Sequence, residues 1–129
     1  MSKGRRLLIA VLAFPLAAFF GFVGWYKAFA PLSELLEHHA WTAHVPVWIG
    51  RPMGVTEMLG AVALVAGIFP AAWRWTRLAA LWLAASQIPS SIIHWNHGEA
   101  DELPKNLLVF VMLLAVAGLC RHAQEGENA

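Results

Sequence analysis

Charge is scarce in this chain. Asp, Glu, Lys and Arg make up 13% of the 129 residues, against about 25% in an average soluble domain. So small a globule exposes too much surface for so few charges to wet, which excludes an ordinary soluble domain. The apolar 59% must face something other than a protein core, and the hydrocarbon of a bilayer is the fitting solvent. An excess of base is missing as well: the formal net charge of +1 leaves no footprint for nucleic acid. Cysteine is almost absent. Cys120 alone permits no internal disulfide and no C-x-x-C for thiol redox chemistry or zinc, and reads as a small packing residue. There is no G-x-G-x-x-G and no P-loop, so the usual phosphate cradles are excluded too. The length allows one domain, residues 1–129.

What is present is hydrocarbon in long runs. Apolar stretches cover about 7–30, 53–69, 78–95 and 107–120, and short polar segments separate them. A span needs about 20 residues, so the second and fourth stretches recruit their flanks. The expected fold is all-α, a transmembrane four-helix bundle with helices over about 7–30, 51–70, 77–96 and 103–121. A polar tail, 122–129, is expected to fray. Lys3, Arg5, Arg6, Arg74, Arg77 and Arg121 fall on one side, while Glu99, Asp101 and Glu102 fall on the other. The positive-inside rule then makes both termini cytoplasmic. Trp25, Trp41, Trp48, Trp73, Trp75 and Trp95 fall near the expected interfaces and read as an aromatic belt; Trp82 lies mid-helix. The run ending Ala28-Phe29-Ala30 resembles a secretory signal with a cleavage site, but it is longer than a signal core and is expected to stay.

Four polar residues interrupt the apolar spans. Lys27 lies near the outer end of helix 1, Glu57 near the outer start of helix 2, His94 near the outer end of helix 3, and Asn106 at the start of helix 4. Antiparallel threading brings all four to the outer third of the bilayer, where ionisable groups are costly and face the bundle interior. Gln87, Ser91 and His94 follow at i, i+4 and i+7, one stripe of helix 3. Small residues accompany the polar ones: Gly21 and Gly24 on helix 1, and Gly50, Gly54 and Ala61 on the face of Glu57. Pro89 frees the Ala85 carbonyl beside this face.

Each of these residues has a plain reading as well as a functional one. Lys27 can snorkel to the headgroups. Glu57 can pair with Lys27 or Arg51, sit neutral against Gln87 or a carbonyl, or handle a ligand or proton. His94 can be a hydrogen-bonded bundle histidine. The residues alone leave these alternatives open. His38, His39, His44, His94 and His97 match no fixed ligand spacing such as H-E-x-x-H, so no metal is expected. The loop carrying His44, Pro46, Trp48 and Arg51 can equally fold over the mouth of the bundle.

Gly21-x-x-Gly24-x-x-Lys27 and Arg51-x-x-Gly54-x-x-Glu57-x-x-Gly60-Ala61, with Leu64, Gly67 and Pro70 following, resemble the DoxX/DoxX-like family of small four-helix membrane proteins. His94 ending helix 3 and Pro104 opening helix 4 continue the likeness over roughly residues 7–121. The chain departs from the family pattern at Pro89-Ser90-Ser91 and in its His-rich loop. The resemblance implies association with quinone-linked redox or detoxification systems, or a chaperone-like role among distant relatives. It places Lys27, Arg51, Glu57 and His94 in the family's polar core.

The combined expectation is a multi-pass protein of the bacterial cytoplasmic membrane. It is a non-catalytic subunit of a redox system rather than an autonomous enzyme. Lys27, Arg51, Glu57, Gln87, Ser91, His94 and Asn106 would form a polar-lined pocket in the outer leaflet for a small amphipathic ligand such as a quinone. The alternative is a structural scaffold or assembly factor with no ligand. A transporter is disfavoured, since no inverted repeat of broken helices is visible. A membrane or redox protein partner and self-association are both compatible with the residues.

Overall fold

The computed structural model describes residues 3–128, with side chains described for residues 3–121. Among the described residues the chain is helical, with no strand. The elements are α1 (Lys3–Phe29), α2 (Leu32–Glu37), α3 (Val47–Val65), α4 (Trp73–Asn96) and α5 (Leu103–Asn128), joined by short 3₁₀ turns. Prolines punctuate it. Pro31 precedes α2, Pro46 precedes α3, Pro70 opens the turn before α4, and Pro104 sits in the first turn of α5, where its missing N–H costs nothing. After α2 the chain turns through His39, whose φ of 57° is the left-handed conformation that ends a helix.

Boundaries differ from expectation in four places. Helix 1 begins at Lys3, one turn before the expected start at 7. Helix 2 was expected over 51–70 and runs Val47–Val65, so Pro52 lies inside it rather than bounding it, and 3₁₀ turns follow. The helix starts early because Pro46 sets the entry to its first turn. Helix 3 begins at Trp73, one turn earlier than expected. Helix 4 continues as backbone to Asn128, through most of the tail expected to fray; side chains 122–128 and residue 129 lie outside the described residues.

The long helices form a ring in which α1 packs on α3, α3 on α4, α4 on α5 and α5 on α1. The end where α1 begins is filled by hydrocarbon: Ile9, Leu16, Phe20, Leu64, Leu83 and Val116 are all buried there or toward mid-bundle. Trp73 plugs this end, donating from Nε1 to the Gly67 carbonyl at 2.8 Å. It was expected in the aromatic belt and belongs to the core instead, because that carbonyl gives the indole N–H an internal partner. Trp41 is also buried rather than interfacial. Trp25, Trp48, Trp75, Trp82 and Trp95 are exposed.

Among the described residues, three stretches are long and apolar enough to cross a membrane: Lys3–Phe29, Val47–Ile68 and Ala100–Arg121. The fourth long helix, α4, carries Thr76, Ser86, Gln87, Ser90 and His94, and all of these are buried. Its outward residues, Trp75, Leu78, Trp82, Ile88, Ile92 and Trp95, are apolar and exposed. Mean hydropathy counts the buried polar groups against α4; the face it presents to its surroundings is hydrocarbon.

A roofed polar cavity where α3 begins

Helices α1 and α3 meet almost backbone to backbone. A Cβ on Gly54 would lie 2.6 Å from the Gly24 carbonyl oxygen and 2.6 Å from the Ala28 nitrogen. This contact places Lys27 opposite Glu57. Lys27 Nζ donates to Glu57 Oε1 at 2.9 Å, with the two side chains 8% and 1% exposed. Arg51 donates to the Lys27 carbonyl oxygen at 2.9 Å, and the Trp41 ring lies over the ammonium at 5.5 Å. Lys27 is therefore paired inside the bundle rather than snorkelling. Glu57 Oε2 is buried with no hydrogen-bond partner among the described residues.

Beside this pair lies a cavity of about 260 Å³. One wall is aromatic and apolar, made by Phe19, Phe20, Phe22, Val23 and Tyr26 of α1. The other is polar: Lys27, Gln87, Ser90, His94, Lys105 and Asn106. The segment 38–41 roofs it. The volume is just below the roughly 300–1,000 Å³ of ordinary small-molecule sites, enough for one substituted ring.

Of the residues singled out in the sequence, Lys27, Gln87, His94 and Asn106 line this cavity together. Glu57 and Arg51 do not; they hold Lys27 from behind and beside it. Ser91 lies on the other side of the α4–α5 seam, where it lines an outward groove. Asn106 Nδ2 bridges the seam, donating to Ser90 Oγ at 3.1 Å and Ser91 Oγ at 3.2 Å. The stripe facing the cavity is thus Gln87, Ser90 and His94, at i, i+3 and i+7. Both spacings lie on one helix face, and only the position of α5 chooses between them.

Three contributors escaped the sequence reading. Glu99, taken there only as a topology marker, sits across the Gly98 turn from His94, and its Oε1 lies 2.9 Å from His94 Nδ1. A carboxylate only accepts, so Nδ1 carries the proton and Nε2 is left for a second partner. His44 Nε2 approaches the same oxygen at 3.5 Å, and its ring stacks on His97 at 3.8 Å. The carboxylate thus sits between the loop carrying His44 and the end of α4. Lys105 and Tyr26 complete the wall, bonded to Glu102 at 2.6 Å and Glu34 at 3.0 Å. One signal for Glu99 was available: a carboxylate five residues after a histidine, across a glycine.

Burial pushes the Glu99 carboxyl up, but the hydrogen bond to His94 and the charges of His44 and His94 outweigh it and hold its pKa below the ordinary glutamate value. Between the folded and ordinary values the unfolded chain binds the extra proton. The stability this contact contributes is therefore complete above the ordinary value and is lost as pH falls through the folded one. Melting temperature measured in detergent below about pH 4.3 should fall more steeply for the native chain than for Glu99→Gln. Parallel curves would contradict the latch.

At the rim of the cavity, His39, Asp101 and Glu102 bring one ligand atom each within 4.8 Å of one another. His39 and Asp101 are exposed, and Lys105 already holds Glu102. This is a solvated charge cluster.

No curated protein and no solved structure matches the chain. A family model does, over residues 11–117, a stretch that contains the close helix crossing, the Lys27–Glu57 pair and the whole polar wall. With three helices able to cross a membrane, the chain belongs to the DoxX-like family.

Proposed function

We propose that this is a four-span membrane protein whose outer cavity binds a small, neutral, acceptor-bearing amphipath such as a quinone, as a non-catalytic subunit of a redox system. The apolar outer face of α4 supports a fourth span. The distribution of Lys and Arg then puts both termini on the cytoplasmic side, with a bacterial cytoplasmic membrane as the setting.

The observation that carries the ligand reading is the arrangement of charge around the cavity. Its wall offers donors, the Lys27 and Lys105 ammonium groups and the Gln87 amide, an acceptor at His94 Nε2, and no carboxylate. The matching acids stand behind the wall: Glu57 on Lys27, Glu99 on His94 and Glu102 on Lys105. Donors in front of compensated charges suit a ring carbonyl better than an anion. Desolvating a carbonyl against such donors costs little when each finds a hydrogen bond. His94 Nε2 can accept from a hydroxyl on the reduced ring. With no C-x-x-C and no nucleotide motif in the sequence, electrons come from a partner protein.

Equilibrium binding of a short-chain benzoquinone to purified protein tests this. The Gln87→Leu/Lys105→Leu variant should bind at least about tenfold more weakly, since two polar contacts of about 1 kcal/mol each are lost. Unchanged affinity in a variant of native helicity rules the site out. A second reading, a structural scaffold with no ligand, is favoured by one fact: the most buried polar pair, Lys27 and Glu57, is already in direct contact.

A further inference from the structure

A ligand with one ring in a 260 Å³ cavity must send any chain it carries somewhere. Three exits adjoin the outer end. Toward water stands the roof, whose His38 and His39 are themselves exposed. Trp41 is 5% exposed, and the loop around it is held by His39 to Glu102 at 3.7 Å and His44 to Glu99 at 3.5 Å. Toward the α4–α5 side lies an apolar groove of about 730 Å³ that shares Gln87 and Asn106 with the cavity. The bonds from Asn106 to Ser90 and Ser91 close the seam between them. Toward the third side the wall itself reaches the surface. Phe22 lines the cavity and is 69% exposed, Val23 beside it is half-buried, and Lys105 of α5 stands opposite.

We infer that the cavity opens sideways into the membrane between α1 and α5, and that its ligand is a membrane-dissolved molecule whose hydrocarbon chain leaves past Phe22 and Val23. The proposal rests on the ligand reading and deepens it, because it fixes the phase from which the ligand comes. Phe22 stacks on Tyr26 at 6.1 Å, so one side of the opening is a flat aromatic surface along which a ring can slide. A hydrocarbon chain leaving past the roof would meet water beside the exposed His38 and His39 imidazoles. Leaving past Phe22 and Val23, it would stay in hydrocarbon.

The test uses a benzoquinone with a photoreactive diazirine on the first carbons of its alkyl chain, and the full-length protein in lipid nanodiscs. Labelled residues are mapped by mass spectrometry with and without excess unlabelled quinone. The expected result is competitor-sensitive labelling of Phe22 and Val23. In Val23→Trp, which fills the opening at a half-buried position, that labelling should fall about tenfold. Ile92→Trp, in the other groove, should leave it unchanged. Competitor-sensitive labels on Ile92, Trp95 or Leu107, or on the roof at His38 or Ala40, overturn the lateral opening and leave the ligand reading standing. Labels that excess quinone does not displace overturn both.

Discussion

Glu57→Gln should be among the most damaging conservative substitutions in the chain, lowering stability by about 3–5 kcal/mol. The cost does not measure the worth of the pair. It is the penalty of leaving the Lys27 ammonium buried beside a neutral amide. Two contacts keep Lys27 from escaping to the headgroups: Arg51 grips its carbonyl, and Trp41 lies over its ammonium. Removing both charges should therefore recover much of the loss. The Lys27→Met/Glu57→Leu protein is expected to melt well above Glu57→Gln when unfolded in the same detergent. Additive losses in that cycle would show that the two side chains are not coupled. Glu57 Oε2, buried without a partner, is a further reason for a large recovery, since a half-satisfied polar pair is a weak competitor for packed hydrocarbon.

Gly54→Ala should be the second severe change, although it adds a single methyl. The added carbon would sit 2.6 Å from main-chain atoms of α1, which no rotamer change can relieve. The helices must separate, at a cost of about 1–3 kcal/mol. The damage should also reach the site, because the same crossing sets Lys27 against Glu57 at 2.9 Å. Melting temperature and benzoquinone affinity are expected to fall together in this variant. Gly21→Ala is the control. A Cβ there meets only the Ala61 side chain at 3.8 Å, an ordinary contact, and stability should hardly move.

The height of the site along the bundle was legible in the sequence. Lys27, Glu57, His94 and Asn106 are placed by counting residues from the ends of antiparallel helices, and helix rise turns that count directly into height. The small faces of α1 and α3 were legible for the same reason: Gly24 and Gly54 recur with the polar residues at helical spacing. Direction around each helix was not. Whether Ser90 or Ser91 meets the cavity depends on where α5 lies, and Glu57 stands behind Lys27 because the glycine crossing draws α3 close to α1. Trp73 and Trp41 read as belt residues because composition places an indole near an interface. It cannot show that Gly67 offers Trp73 a carbonyl, or that Lys27 lies beneath Trp41. Glu99 was hidden in a different way. Its role needs the turn at Gly98, which brings a loop carboxylate back onto the helix that precedes it.

Native mass spectrometry of the protein released from its own membrane in lipid nanodiscs bears most directly on the proposed binding site. The chain is expected to carry one lipid-soluble molecule of small mass, displaced when a short-chain benzoquinone is added. A bare chain that takes up no benzoquinone, while Lys27 and Glu57 still show coupling, would contradict the binding site and leave a polar cluster that only locks the helices.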